Sequence, residues 1–206
     1  MATALDRDPA QLPRHRSAVF LDRDGVINAN RADYVLSWDQ FRFLPGALKA
    51  LALLTAAGLP VIVVTNQTIL GKGLITVDVL DDMHARMRGA VQSAGGSILD
   101  ILYCPHLAAE NCSCRKPKPG LLHMAAERHG IDLSESFYVG DALSDLHAGL
   151  AAGCRCVLVE TGRGRSQVLR EEARLVRDYH EAGDLHAAVK WILAQPTRYG
   201  LTRRRR

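Results

Sequence analysis

Short apolar runs alternate with helical stripes along most of the chain. Ala18-Val19-Phe20-Leu21 is a continuous apolar run that stops at Asp22 and soon meets Gly25, the pattern of a buried strand ending in a loop. Pro45 opens a helical stripe of Leu48, Leu51, Ala52 and Leu54, closed by Gly58. Val61-Ile62-Val63-Val64 is a second apolar strand running out into Thr65, Asn66 and Gln67. From Thr76, a residue suited to capping, Val79, Met83, Met87 and Val91 keep helical spacing toward Ala94. Ile98 to Tyr103 reads as a third strand. Pro119 stands at a first helical position, and Gly130 follows that helix. Phe137-Tyr138-Val139 is a fourth strand ending at Gly140-Asp141, Leu143 to Ala152 a helix, and Cys156 to Val159 a fifth strand. A weak strand near Leu175-Val176 and a helix from Asp184 to Leu193 complete the pattern.

Strands that are apolar without alternation are buried on both faces. Alternating with helices, they predict a mainly parallel sheet covered by helices on each side, a three-layer α/β fold. Ligands of such sheets bind beyond the carboxyl ends of the strands. The polar residues Asp22, Asp24, Thr65, Asn66 and Asp141 all stand at strand ends, and a cysteine cluster follows another. They are placed to converge on one site.

A chain of 206 residues suits one domain with small appendages. The expected division is a tail over 1–16, a domain over 17–196 and a basic tail over 197–206. The net charge of +4 equals the terminal run Arg203 to Arg206, so the remainder is balanced and gives no reason to expect a nucleic-acid partner. The five cysteines are odd in number, and three crowd into Cys104, Cys112 and Cys114, which fits metal binding or free thiols better than a disulfide framework. No apolar stretch is long enough to span a bilayer, and the N-terminus lacks the apolar core of a signal peptide. A cytoplasmic monomer with no membrane partner is expected.

The chemistry concentrates in four groups. Asp22-Arg23-Asp24-Gly25 offers two carboxylates, one able to act as nucleophile and one as acid/base; alone, the pair reads equally well as solvated loop acids. Thr65-Asn66, Lys116, and Gly140-Asp141 with Asp145 add an anion cradle and metal ligands. With these residues the sequence resembles the haloacid dehalogenase superfamily of phosphohydrolases. The resemblance rests on Asp22 to Asn28 (Asp-Arg-Asp-Gly-Val-Ile-Asn), Thr65-Asn66-Gln67, Arg115-Lys116-Pro117, and Val139-Gly140-Asp141 with Asp145, and runs from Ala18 to Gly162. It implies that Asp22 attacks phosphorus to form an aspartyl-phosphate and that Asp24 is the general acid and then the general base. It implies magnesium held by Asp22, the Asp24 carbonyl and Asp141, with Asp145 behind them. Thr65 and Lys116 would stabilise the phosphoryl oxygens.

A second constellation is Cys104-x-His106 followed, after five intervening residues, by Cys112-x-Cys114. Three thiolates and an imidazole complete a closed tetrahedral zinc site, the mark of a structural ion; free thiols are the bland alternative. Cys114 leads straight into Arg115-Lys116, so a zinc loop over 104–114 would hold the lysine through the backbone. Cys154 and Cys156 read as small buried residues, and the helical histidines His84, His123, His129 and His147 as packing or surface groups. Trp38 is balanced between closing over a ligand and packing at an edge.

Only 43 positions separate Asp22 from Thr65, too few for a cap domain. The expected site is open, rimmed by Asn28 to Tyr34 and the cysteine loop. Capless members with such a loop resemble two groups, heptose-1,7-bisphosphate 7-phosphatases and histidinol-phosphate phosphatases. The Cys114-Arg115-Lys116-Pro117-Lys118-Pro119-Gly120 run favours the first group. The implied substrate contacts are Asn30, Arg31, Ala32, Asp33, Asn66, Gln67, Thr68 and Arg115. Three positions depart from the heptose pattern: Ile69 stands for a glycine, Lys72 for an arginine and Ala142 for a lysine. Phosphatases of histidinol phosphate or another small ester, and a non-catalytic binding module, are the alternatives.

Overall fold

The computed structural model describes residues 17–168, 176 and 178–196. The two expected tails lie outside the described residues, as does Leu175. The elements in chain order are β1 (Val19–Leu21), α1 (Ala47–Ala56), β2 (Val61–Asn66), α2 (Thr68–Gly71), α3 (Val77–Ser93), β3 (Asp100–Cys104), α4 (Gly120–His129), β4 (Phe137–Gly140), α5 (Leu143–Ala151), β5 (Arg155–Val159), α6 (Gly164–Val168), β6 (Tyr179–Ala182) and α7 (Leu185–Ala194).

The six strands form one sheet in the order β3-β2-β1-β4-β5-β6, and every neighbouring pair is parallel. Alternate side chains divide between two cores. Val19, Leu21, Val61, Val63, Phe137, Val139, Val157 and Val159 face the layer containing α1, α3 and α7. Phe20, Ile62, Val64, Tyr138, Cys156 and Leu158 face α4 and α5. Burial on both faces is why these strands lack polar alternation.

Strand order reverses between β1 and β4: the chain moves outward from β1 to β3, then crosses to the other side of β1. Helices on either side of such a switch point leave a crevice at the carboxyl ends. Asp22 leaves β1 into that crevice and Asp141 leaves β4.

Four expectations are corrected. The last strand is Tyr179–Ala182, and Val176 lies in no regular element. It pairs with β5 alone and carries polar His180 and Glu181, so its apolar signal is weak. The third strand begins at Asp100 and reaches Cys104. Helix α1 starts at Ala47 because Gly46, with φ 79°, takes the cap position in place of Pro45. Pro119 likewise caps α4 and does not begin it. Trp38 packs inward, stacking on Phe41 at 5.0 Å between ring centres.

Between β1 and α1 there is no separate domain. Asn28 bridges to both Asp24 and Phe43, and Phe41, Phe43 and Trp38 tie the segment to the core. Its remainder, Asn30 to Tyr34, stands at the mouth of the crevice.

Candidate active site

A cavity of about 650 Å³ opens at the carboxyl ends of β1, β2 and β4. Asp22, Asp24, Thr65, Asn66, Gln67, Thr68, Arg115 and Lys116 line it, and Asn30, Arg31 and Ala32 form part of its rim. Asp33 beside them is bound by Arg31, whose guanidinium approaches its carboxylate at 2.7 Å.

Lys116 lies at the base, 4% exposed. Its Nζ donates to the Val64 carbonyl at 3.0 Å and Tyr138 Oη at 3.1 Å, and contacts Asp22 Oδ1 at 3.0 Å and Asp145 Oδ1 at 2.7 Å. Burial alone disfavours its charge, but Asp145 and Asp22 outweigh that and hold its pKa well above the usual lysine range. Asn66 clamps its backbone from both sides, donating to the Lys116 carbonyl and accepting from its N–H, each at 3.2 Å. Both ends of the Asn66 amide are thus used inside the protein.

Asp22 Oδ1 accepts from the Arg23 N–H at 2.7 Å as well as from Lys116. Burial pushes its pKa up to about 6, with Asp145 and Asp24 adding and Lys116 opposing. Asp24 differs. Burial would raise it too, but Arg23, Asn28 and Gln67 together outweigh burial and hold its pKa below the usual range. Asn28 donates to Asp24 Oδ1 at 2.8 Å and Gln67 to Oδ2 at 2.8 Å. Gln67 also donates to Thr65 Oγ1 at 3.0 Å.

Asp141 is fully buried. Its Oδ2 accepts from the Arg163 N–H at 2.8 Å, while Oδ1 has no hydrogen-bond partner among the described residues. Burial, then Asp22 and Asp145, push it up to about 7. Gly25, with φ 89°, and Gly162 pack so tightly on this carboxylate that a Cβ at either would collide with it. Asp145 has both oxygens engaged: Oδ1 on Lys116, and Oδ2 accepting from the Asp141 and Ala142 N–H groups at 3.1 and 3.0 Å.

Asp22, Asp141 and Asp145 each bring an oxygen within 4.8 Å of the others. Three buried carboxylates, one with an orphaned oxygen, suit a hard divalent cation, which binds such oxygens and removes their repulsion. Asp145, already saturated, fits a supporting role.

Beside the cavity, Cys104, His106, Cys112 and Cys114 bring their ligand atoms within 4.8 Å of one another. His106 presents Nδ1, 3.6 Å from Cys104 Sγ and 3.2 Å from Cys114 Sγ. Cys112 Sγ lies 3.6 Å from Cys104 Sγ and 3.4 Å from Cys114 Sγ. Tetrahedral zinc, with bonds of about 2.3 Å to sulfur, separates its ligand atoms by roughly 3.5–3.8 Å. The two spacings of 3.6 Å lie in that range and those of 3.2 and 3.4 Å just below it, so the donor set fits with a slight opening.

Five residues missed by sequence reasoning belong here. Tyr138 hydrogen-bonds Lys116 from the α4/α5 face, Arg163 and Ser144 line the cavity, and Arg23 and His84 lie behind Asp24. Arg163 follows a strand end and a glycine, and Arg23 stands inside the Asp22-to-Gly25 motif after β1, the signal used elsewhere; Tyr138, Ser144 and His84 are not marked in that way. Lys72 engages Tyr34, donating to its hydroxyl at 2.6 Å, and Ile69 is buried in the cavity wall.

A family model described as HAD-hydrolase-like matches residues 113–185. The D-glycero-beta-D-manno-heptose-1,7-bisphosphate 7-phosphatase of Pseudomonas aeruginosa is 46% identical over 149 residues, covering 72% of this chain and 84% of the relative. This chain belongs to the haloacid dehalogenase-like phosphatases, in the group that contains the heptose-1,7-bisphosphate 7-phosphatases. Within the same phosphatase family, a Mycobacterium tuberculosis relative named for the alpha anomer is 42% identical, covering 76% of this chain and 85% of its own. A solved structure of the B. bronchiseptica D,D-heptose 1,7-bisphosphate phosphatase, complexed with magnesium and phosphate, superposes with a TM-score of 0.82 at 38% identity. It covers 86% of this chain and 98% of its own. No helix among the described residues is long and apolar enough to cross a membrane.

Proposed function

We propose that this phosphatase removes the 7-phosphate of D-glycero-D-manno-heptose 1,7-bisphosphate in the cytoplasm, serving the synthesis of nucleotide-activated heptose for surface glycans. Its catalytic ion is magnesium and its structural ion zinc. The observation that carries the reading is the meeting of Asp22 with Lys116 and Thr65 in the lining of one cavity, with Asp141 buried directly beside Asp22.

Asp22 Oδ1 is occupied by the Arg23 N–H and Lys116, so Oδ2 is the attacking atom. It bonds to phosphorus as the bond to the sugar oxygen breaks. Asp24, part-exposed to the cavity and ionised in the empty site, takes up a proton as the anionic phosphate binds beside it, gives it to that oxygen, then takes one from the water that cleaves the aspartyl-phosphate. Thr65 Oγ1 accepts from Gln67, which leaves its own proton free for a phosphoryl oxygen. Lys116 supplies fixed positive charge beside the same atoms. Magnesium, when bound by Asp22, the Asp24 carbonyl and Asp141, offsets the repulsion between carboxylate and phosphate. Arg115 and Arg163 meet the second phosphate, and Asn30 to Asp33 with Thr68 meet the sugar. Zinc on Cys104, His106, Cys112 and Cys114 fixes the loop that carries Arg115.

The test is kcat/KM for both anomers of the heptose bisphosphate, histidinol phosphate, fructose 1,6-bisphosphate and a 3′-phosphorylated oligonucleotide. A heptose anomer is expected to lead; if histidinol phosphate leads, the substrate reading is wrong. Asp22→Asn is expected to lower phosphate release by about four orders of magnitude, and retained turnover removes the covalent mechanism.

A further inference from the structure

We propose that His84, on α3 and outside the cavity lining, is a positioning residue that fixes Arg23 and through it the acid/base carboxylate of Asp24. The inference rests on the role of Asp24 given above.

Arg23 is the largest fully buried side chain among the described residues, 1% exposed. A guanidinium only donates, and each buried donor without an acceptor is costly. Its Nη2 donates to Asp24 Oδ1 at 3.1 Å, Asp24 Oδ2 at 2.9 Å and Gln67 Oε1 at 3.1 Å. Its Nε has no hydrogen-bond partner among the described residues. The remaining contact is from Nη1 to His84 Nε2 at 3.3 Å. Asp24 and Gln67 leave the loops after β1 and β2, so they move with the site. His84 belongs to a 17-residue helix packed on the core and is, among the described residues, the one side-chain hydrogen-bond partner of the guanidinium from outside those loops, while the Phe41 ring lies 6.0 Å away.

The chemistry of this contact is fixed by its partner. Because arginine has no acceptor, His84 must be a neutral ring with an open Nε2. Its surroundings agree: burial, then the Arg23 charge, push its pKa down to about 3. A helical histidine thus serves as a permanent acceptor, holding the guanidinium at the angle that presents Asp24 to the cavity.

Position matters because a general acid acts only within hydrogen-bond reach of the leaving oxygen, and a displacement of about 1 Å can cost on the order of a hundredfold. The consequence is selective. An alkyl phosphate such as a sugar ester needs a proton on its leaving group. An aryl phosphate such as p-nitrophenyl phosphate departs as a stable anion and does not.

The experiment compares kcat/KM on the best alkyl substrate with kcat/KM on p-nitrophenyl phosphate in magnesium-loaded enzyme, because kcat/KM ends at departure of the leaving group and excludes the later hydrolysis in which Asp24 serves both esters alike. His84→Phe, a ring of similar size without the acceptor, is expected to lower kcat/KM on the alkyl ester about tenfold or more and on the aryl ester less than about twofold. His84→Gln, whose Oε1 accepts, is expected to restore most of the alkyl rate. Arg23→Lys, which keeps the charge and loses the fork, is expected to shift the same ratio in the same direction, and decides the matter if His84→Phe does not fold. Equal losses on both esters, no rescue by glutamine, or an unchanged ratio in Arg23→Lys each overturn the role of His84. Wild-type protein that cleaves neither ester overturns the proposed function instead.

Discussion

Lys116→Met tests the electrostatic reading of the site most directly. The ammonium sits among Asp22, Asp145, Tyr138 and a carbonyl, 4% exposed, in contact with two buried carboxylates. Its removal leaves one poorly served acceptor, Asp145 Oδ1, whose remaining contact is Tyr138 Oη at 3.5 Å. Val64 still accepts from Tyr138, Asp22 Oδ1 from the Arg23 N–H, and Asp145 Oδ2 from two backbone N–H groups. What is lost is charge, leaving Asp22, Asp141 and Asp145 facing one another without a cation. Breaking a buried ion pair by removing one partner costs about 3–5 kcal/mol. For a chain of this size each kcal/mol moves Tm by roughly 2–4 °C, so the variant in chelator should melt about 6–20 °C below wild type. Excess magnesium should recover part of that difference, because a divalent ion relieves the same repulsion. Thermal unfolding followed by circular dichroism, with chelator and with magnesium, reads both effects. A variant that melts within about 2 °C of wild type in chelator refutes the argument that Lys116 is what makes the carboxylate cluster tolerable.

The wild-type protein in chelator should lose stability as pH rises from about 4 through about 7, the two raised carboxyls Asp22 and Asp141 outweighing the opposite contribution of His84, whose pKa is pushed down to about 3. Asp22 and Asp141, pushed up to about 6 and about 7, bind protons more tightly folded than unfolded, so their ionisation in that window costs stability. Denaturation midpoints should therefore show magnesium stabilising more at pH 8 than at pH 5; the opposite trend would sink the reading. Cys112→Ser with Cys114→Ser should remove one equivalent of zinc per chain by elemental analysis and lower Tm, and wild type free of zinc would end the zinc assignment. Asp100→Asn removes the carboxylate that meets Arg128 at 2.9 Å and His129 at 2.7 Å, a part-exposed cluster tying α4 to β3. It should cost about 1 kcal/mol near neutral pH, and a melting temperature unchanged from wild type would assign those contacts no weight.

The strand ends were legible because a doubly covered parallel sheet writes each strand as an apolar run with a polar terminus. That rule located Asp22, Thr65 and Asp141 before any topology was known, since the sheet order alone decides which ends adjoin. It failed at Tyr179–Ala182, where an edge strand is paired on one side and keeps polar residues. Partnerships were harder to read. Asn66 and Gln67 stand at a strand end, as substrate contacts do, yet Asn66 spends its amide on a residue 50 positions away and Gln67 reaches back 43 positions to Asp24. His84 has the same standing as any apolar-face helical residue until Arg23 is seen against it. Periodicity encodes which face a side chain lies on and carries nothing about the partner it meets there.

Lys116 shows why the polar framework is larger than the motifs. An ammonium buried against carboxylates is stable only when held exactly where its charge is compensated, because the desolvation cost is fixed while the compensation falls with distance. The segment that carries it is a polar loop after β3 with little apolar surface to pack. Two devices replace packing. Asn66 grips the lysine backbone from the end of β2, and the cysteine and histidine donors gather the loop two residues upstream. They act on different parts of the same segment, so losing the metal ligands should loosen Arg115 more than Lys116. The expected signature is a rise in KM for a bisphosphate substrate that exceeds the fall in kcat. A variant of Cys112 and Cys114 that loses kcat alone would show that the loop serves the reacting phosphate and not the second one.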